Sequence, residues 1–240
     1  MACTWDLAGE VHVWAVRLDA PMPDALHLEQ ILSGEERRGA CRYRDRRESF
    51  RFVMRRAARR ITLAKYVGCA PARLEFSASE LGKPSLAQSS GIVFNCTASN
   101  DLAIIAVAEQ CRIGVDLEHL RPPADALDVA RHFLSDAENA ALRAAPPDTQ
   151  GALFLLYWTR KEALLKALGT GLREPCPEFT VEPGSEGGVV FRQSEIGAPE
   201  QWNLISLEPA PTYLATLAYD AKDLKVTLKQ LGEHWYKEFY

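Results

Sequence analysis

Apolar and polar positions alternate through Glu10-Val-His-Val-Trp-Ala-Val-Arg-Leu18, which predicts a strand, and Pro21 and Pro23 end it before a short helical pattern around residues 25–32. From residue 47 to 67 the period changes. Phe50, Val53, Met54, Ala57, Ile61, Leu63 and Ala64 recur mostly three or four positions apart, with arginines filling much of the remaining surface, so this stretch predicts a long helix. Short strands are predicted at 74–76, 91–95 and 102–108, with Gly82-Lys83-Pro84 turning between the first two. Beyond Pro175, strand-like runs at 189–191, 202–207, 213–219 and 224–228 alternate with proline and glycine, and the aromatic end Trp235 to Tyr240 reads as packing or surface.

The pattern repeats in part. Leu32-Ser33-x-x-Glu36 recurs as Leu134-Ser135-x-x-Glu138, and Phe52 and Phe154 share the same offset; Leu102-Ala103-x-x-Ala106 resembles Leu214-Ala215-x-x-Ala218. This order of strands and helices predicts an α+β fold in which each half can read as a helix region, a long helix and then an apolar strand, and a site made from both halves would lie in the cleft between them. The halves are expected at 1–112 and 113–240.

A chain of 240 residues with 47% hydrophobic content can fill a substantial core. The net charge of -4 argues against general nucleic-acid binding, although a dense basic stretch between Arg37 and Arg60 offers an anion site. Six scattered cysteines without a CxxC pair fit free thiols in a reducing compartment and imply no zinc site. Neither a leader-like start nor a run of ~20 apolar residues is present, so the expectation is a cytoplasmic protein without a membrane segment.

The chemistry concentrates in two segments. In Gly114-Val115-Asp116-Leu117-Glu118 the β-branched setting predicts a strand, so Asp116 and Glu118 project from one face. In Trp158-Thr159-Arg160-Lys161-Glu162-Ala163-Leu164-Leu165-Lys166 the helical period puts Glu162 and Lys166 one turn apart. Magnesium takes oxygen ligands and is usually held by a few carboxylates together with substrate phosphates. Three carboxylates and a lysine supply such a set, whereas either segment alone reads as a solvated sheet edge or a surface ion pair. Trp158 reads as core, Gly169 and Gly171 as a helix end, and the five histidines as surface or structural residues.

These residues resemble the 4'-phosphopantetheinyl transferases of the two-half Sfp type over roughly residues 47–181. The resemblance rests on Leu81-Gly82-Lys83-Pro84, Phe94-Asn95-Cys96-Thr97-Ala98-Ser99, the Gly114–Glu118 segment and the Trp158–Lys166 segment with Gly169-Thr170-Gly171-Leu172. It implies transfer of the phosphopantetheine arm of coenzyme A to a serine of an apo acyl or peptidyl carrier protein, with release of 3',5'-ADP. It also implies two similar α/β halves related by a pseudo-twofold axis, each a small sheet packed on a long helix, the first on the nucleotide side and the second carrying magnesium and the catalytic groups. Carried over by position, Asp116, Glu118 and Glu162 are the magnesium ligands, and Lys166 lies by the diphosphate. Lys83 and Pro84 border the nucleotide, and Thr97 lies near the phosphates. Ala98 departs from the pattern, since the family commonly has a phosphate-contacting histidine there; one charge-assisted hydrogen bond is worth ~1.5–3 kcal/mol, about tenfold to a hundredfold in affinity. Lysines near Glu36 and Gly39 are absent too, and Arg37, Arg38 or Arg51 are candidates to replace them on the 3'-phosphate. Glu162 is the first choice of base, with a water held by Asp116 or Glu118 as the alternative.

Two further functions fit the same residues: a weak relative that binds coenzyme A or a carrier protein without efficient transfer, and another magnesium-dependent phosphoryl-transfer or hydrolytic enzyme. Two halves in one chain suffice for a cleft, so a monomer is expected.

Overall fold

The strand predicted by the first alternation is β1, Glu10–Arg17; the short helical pattern after it is a 3-10 helix, Leu26–Ile31, followed by α1, Gly34–Ala40, which the pattern does not predict, and the long period becomes α2, Arg46–Val67. The structure is a computed structural model and describes residues 5–19, 26–87, 91–123, 125–171, 179–182, 189–191, 202–232 and 234–237. The proline break at Pro21 and Pro23, Leu172, Pro175, Cys3, Cys176 and residues 238–240 lie outside the described residues.

Strands β2 (Phe76–Ala78), β3 (Pro84–Leu86), β4 (Ile92–Ser99), β5 (Leu102–Glu109) and β6 (Ile113–His119) follow. Then come α3 (Ala126–Phe133), α4 (Asp136–Ala144) and α5 (Pro147–Leu168). Five strands complete the described elements: β7 (Phe179–Val181), β8 (Val189–Phe191), β9 (Asn203–Leu207), β10 (Tyr213–Tyr219) and β11 (Lys225–Gln230). The architecture is α+β, as the pattern predicts.

Two sheets carry the fold. One has the order β11-β1-β5-β4 and the other β6-β10-β9. Because side chains alternate across a strand, each sheet has two apolar faces to bury. Trp14, Val16, Ile105 and Val107 pack against Met54, Ala57 and Ile61 of α2. On the opposite face Val11, Val13, Ala15, Ile104 and Ala106 join Ile113, Val115, Leu117 and Leu217 in a second core between the sheets. The outer face of the second sheet packs on α5 through Leu204 and Ala218 with Phe154, Leu155 and Leu164. The layers therefore run helix, sheet, sheet, helix.

The sequence repeat has a physical counterpart. Ser33 and Ser135 each open a capping box with the glutamate three positions on, Glu36 and Glu138, satisfying the free amides of α1 and α4. Each glutamate then ties its short helix to a long one: Glu36 accepts from Arg59 and Arg60 of α2, both at 2.7 Å, and Glu138 meets Lys161 of α5 at 2.9 Å. Both long helices span 22 residues and end on a left-handed glycine, Gly68 at φ 73° and Gly169 at φ 81°. Arg59 and Lys161 stand at the same offset as the two capping serines.

The chain does not separate cleanly at residue 112. After β10 it returns, and β11 adds parallel to β1 on the edge of the first sheet. Trp235 and Tyr236, at 1% and 3% exposure, are buried in the core under α2, so this part of the aromatic end is packing. Lys83 joins the halves from the other direction, its amine donating to the carbonyls of Ile113 (3.1 Å) and Ala167 (3.0 Å).

Candidate active site

Gly114, Asp116 and Glu118 share the face of β6 that looks at α5. Approach there is so close that a Cβ on Gly114 would stand 2.1 Å from the Ala163 carbonyl oxygen and 2.4 Å from the Ala167 nitrogen. Glycine at 114 lets the helix lie directly on the strand. That contact brings one turn of α5 over the two acids of β6: Lys166 Nζ reaches Asp116 Oδ1 at 2.5 Å, and the carboxylate of Glu162 falls within the electrostatic field of Lys166, Asp116 and Glu118. The predicted four residues come together.

The other wall is β4. Strands β4 and β6 belong to different sheets, and side chains from β4 span the seam in place of a backbone ladder. Asn95 Oδ1 accepts from the Val115 amide (2.9 Å), Thr97 Oγ1 donates to Asp116 Oδ1 (3.3 Å), and Ser99 Oγ donates to Glu118 Oε2 (3.4 Å) while accepting from the His119 amide (3.3 Å). Lys166 Nζ lies 3.5 Å from Thr97 Oγ1. Polar residues stand at alternate positions 95, 97 and 99, and of these three the sequence resemblance assigns a role to Thr97 alone. Trp158 packs tilted against Phe133 at a centroid distance of 4.3 Å, and its indole acts to lower the pKa of Glu118.

The acids are held at an electrostatic disadvantage. Burial raises the pKa of Asp116, with Lys166 opposing; Glu118 is raised by burial and then by the charge of Asp116. Glu162 is raised by burial, relieved by Lys166, and raised further by Asp116 and Glu118. Two buried carboxylate oxygens, Asp116 Oδ2 and Glu162 Oε1, have no hydrogen-bond partner among the described residues. Hard oxygen donors left unsatisfied among like charges fit a divalent cation. Among the described residues no three His, Cys, Asp or Glu side chains stand where they could hold a metal ion together, so a cation here would need substrate oxygens and water in its shell and a closer approach of the acids.

A cavity of about 1090 Å³ opens between α1, α2, β2 and β4. It is lined by Arg42, Arg56, Arg59, Arg60, Phe76, Pro84 and Cys96, among others. Pro84 is therefore in the cleft, whereas the amine of Lys83 is committed to the two carbonyls at the end of α5 and the start of β6. Of the arginines proposed from sequence, Arg51 pairs with Glu48 (2.9 Å) and Arg37 donates to the carbonyls of Glu29 and Leu32, and neither lines the cleft, nor does Arg38. The arginines one to two turns further along α2 take that place. Ala98 shares the strand face of Cys96 and packs against the α2 core, while Thr97 faces Asp116.

These elements define a site of one buried and two half-buried acids with one paired lysine, beside a cleft lined with arginines. A family model described as the 4'-phosphopantetheinyl transferase superfamily matches residues 112–218. The 4'-phosphopantetheinyl transferase HetI of Nostoc sp. is 33% identical over 216 residues, 88% of each chain. A 4'-phosphopantetheinyl transferase of Bacillus subtilis is 29% identical over 74% of this chain and 79% of its own, and Sfp of Bacillus subtilis strain 168 is 25% identical over 78% and 83%. The holo-[acyl-carrier-protein] synthase of Thermotoga maritima covers 49% of this chain and 66% of its own at TM-score 0.38 and 16% identity, a partial likeness that carries no weight. The chain belongs to the 4'-phosphopantetheinyl transferase family, and it is an enzyme of that class. No helix among the described residues is long and apolar enough to cross a membrane.

Proposed function

We propose that this enzyme transfers the 4'-phosphopantetheine arm of coenzyme A to a serine hydroxyl of an apo acyl or peptidyl carrier protein, in a magnesium-dependent reaction that releases 3',5'-ADP. The observation that carries this reading is the convergence of Asp116, Glu118, Glu162 and Lys166 on one seam, next to a cleft lined with arginines.

The serine oxygen forms a bond to the β-phosphorus, the bond from that phosphorus to the oxygen bridging the diphosphate breaks, and the hydroxyl proton must be accepted. Asp116, Glu118 and Glu162 would hold magnesium, which supplies charge neutralisation on the diphosphate when bound. Lys166 places an ammonium where negative charge accumulates on the departing phosphate, and in the free enzyme it is stored against Asp116. Glu162, through an oxygen that does not hold the metal, is the first choice to take the proton, with a water held by Asp116 or Glu118 as the alternative acceptor. Thr97, Asn95 and Ser99 fix the acids against β4 so that they do not splay under mutual repulsion.

Incubation with coenzyme A, magnesium and an apo carrier protein, followed by mass spectrometry of the carrier, tests the proposal. A gain of one phosphopantetheine arm per carrier is the expected result. Coenzyme A binding without that gain would instead make the protein a weak relative, the reading that Ala98 favours, and phosphate release from simple esters without carrier would make it a hydrolase. Restoring the imidazole with Ala98→His is expected to lower KM for coenzyme A by about tenfold or more, measured in the same assay.

A further inference from the structure

We infer that Lys83 is a positioning residue of the transfer reaction: its amine pins the last turn of α5 to the start of β6 and so holds Lys166 over Asp116, and it takes no part in binding the nucleotide. The inference rests on the proposed function and concerns a side chain that the transfer chemistry itself leaves unused.

The turn that carries Lys83 is closed by Ser79. Its amide donates to the Lys83 carbonyl (3.0 Å), its carbonyl accepts from the Gly82 amide (2.8 Å), and its hydroxyl accepts from the Lys83 amide (3.1 Å). Gly82 makes this possible at φ 82°, a left-handed conformation that glycine adopts without steric cost. The backbone of Lys83 is thereby fixed on the β2–β3 hairpin. Gly82 and Pro84 line the cavity of the first half, and Lys83 between them does not. Successive side chains of an extended chain leave on opposite faces, so Lys83 points away from the cavity that Pro84 enters.

Its amine goes to the second half. Lys83 Nζ donates to the carbonyls of Ile113 (3.1 Å) and Ala167 (3.0 Å), and its stem lies along the end of α5, with Cδ 3.5 Å from where a Cβ on Gly169 would stand. The Ala167 carbonyl is one of the last four of the helix, which have no partner within it. Ala167 is thus held from both sides, by Lys83 at its oxygen and by the close approach of Gly114 at its nitrogen. Lys166, the preceding residue, reaches Asp116 Oδ1 at 2.5 Å, and Asp116 follows Ile113 within the first turn of the pleat of β6. One amine therefore bridges the two backbone segments that carry the paired lysine and acid. Burial, and then the charge of Arg112, bring the pKa of Lys83 down to about 8, yet a neutral amine keeps two N–H donors, one for each carbonyl, so the bridge survives deprotonation. Turning the amine into the cavity would leave both carbonyls without it.

The test separates kcat from KM for coenzyme A in carrier loading. Lys83→Met, which keeps the stem and removes the donors, is expected to lower kcat by about tenfold to a hundredfold, the effect of a reacting group displaced by about 1 Å, with KM changed by no more than about twofold. Lys83→Arg, which retains donors for both carbonyls, is expected to recover part of kcat. A raised KM at unchanged kcat in folded Lys83→Met would make Lys83 a nucleotide ligand and overturn the inference, as would both constants unchanged. A wild-type enzyme that loads no carrier overturns the functional reading instead. A second measurement needs no variant: acetylation of the wild-type protein by sulfosuccinimidyl acetate, mapped by peptide mass spectrometry with and without coenzyme A. Equal labelling of Lys83 in the two samples supports the inference, and protection of Lys83 by coenzyme A contradicts it.

Discussion

Glu162 shows how a functional residue can work against the fold that carries it. Its folded-state pKa lies above that of an ordinary carboxylate, near 4.5, because burial and then Asp116 and Glu118 disfavour the charge more than Lys166 favours it. Stability contributed by this group is present at acid pH and lost as pH rises from the ordinary value through the raised one, so at neutral pH its charge is held at a cost. Glu162→Gln is therefore expected to reduce carrier loading by about a hundredfold or more while raising Tm at neutral pH. Lower Tm together with lost activity would mean that Glu162 holds the fold and not the chemistry. Residue identity was legible here because carboxylates at a two-residue spacing on a strand, and Glu and Lys one turn apart on a helix, have defined directions. The roles of Asn95 on the Val115 amide and of Ser99 on Glu118 were not, since these β4 residues acquire meaning only when another strand lies alongside.

Elements meet at two kinds of contact, and each makes a prediction. At Gly114 the backbone of α5 leaves no room for a methyl group, so Gly114→Ala must push β6 and α5 apart. Its expected cost is about 1–3 kcal/mol in chemical denaturation, with loss of carrier loading because Lys166 is drawn away from Asp116. At Glu36 the contact is electrostatic. Burial alone would raise its pKa, but hydrogen bonds from Ser33 and Arg60 and the charges of Arg60 and Arg59 outweigh that and leave it lowered. The stability it contributes is thus complete above the ordinary carboxylate pKa and is lost as pH falls through the lowered value. Glu36→Gln, which preserves the capping geometry and removes the charge, is expected to cost about 3–5 kcal/mol at pH 7 by leaving two buried guanidinium groups uncompensated. Urea melts of the two proteins should converge toward acid pH. Equal stability at pH 7 would show that the pair is only a packing contact. The length and period of α2 and α5 were plain in the sequence, but which arginines of α2 face the cleft was not. Rotation of a helix about its own axis depends on what it packs against, and that moved the cleft-facing role from Arg51 to Arg56.

At the scale of the whole molecule, the strand positions of the second half were readable from alternation, whereas their partners were not. The run at 224–228 looks like its neighbours, yet β11 leaves the second sheet and pairs in parallel with β1, a choice fixed by long-range topology and not by local pattern. The repeated capping box was visible as Leu-Ser-x-x-Glu; its tie to a cation on the following long helix needed the structure. What the molecule builds from these parts is one seam, β4 against β6 under α5, where three acids, two of them with an oxygen unpartnered among the described residues, gather beside a single lysine. The account requires that seam to bind one divalent cation together with coenzyme A. Titration of the wild-type protein with Mn²⁺ in saturating coenzyme A, followed by electron paramagnetic resonance of free and bound metal, measures this directly. One bound ion per chain, lost in Asp116→Ala, is the predicted result, and a stoichiometry and affinity unaltered by Asp116→Ala would contradict it.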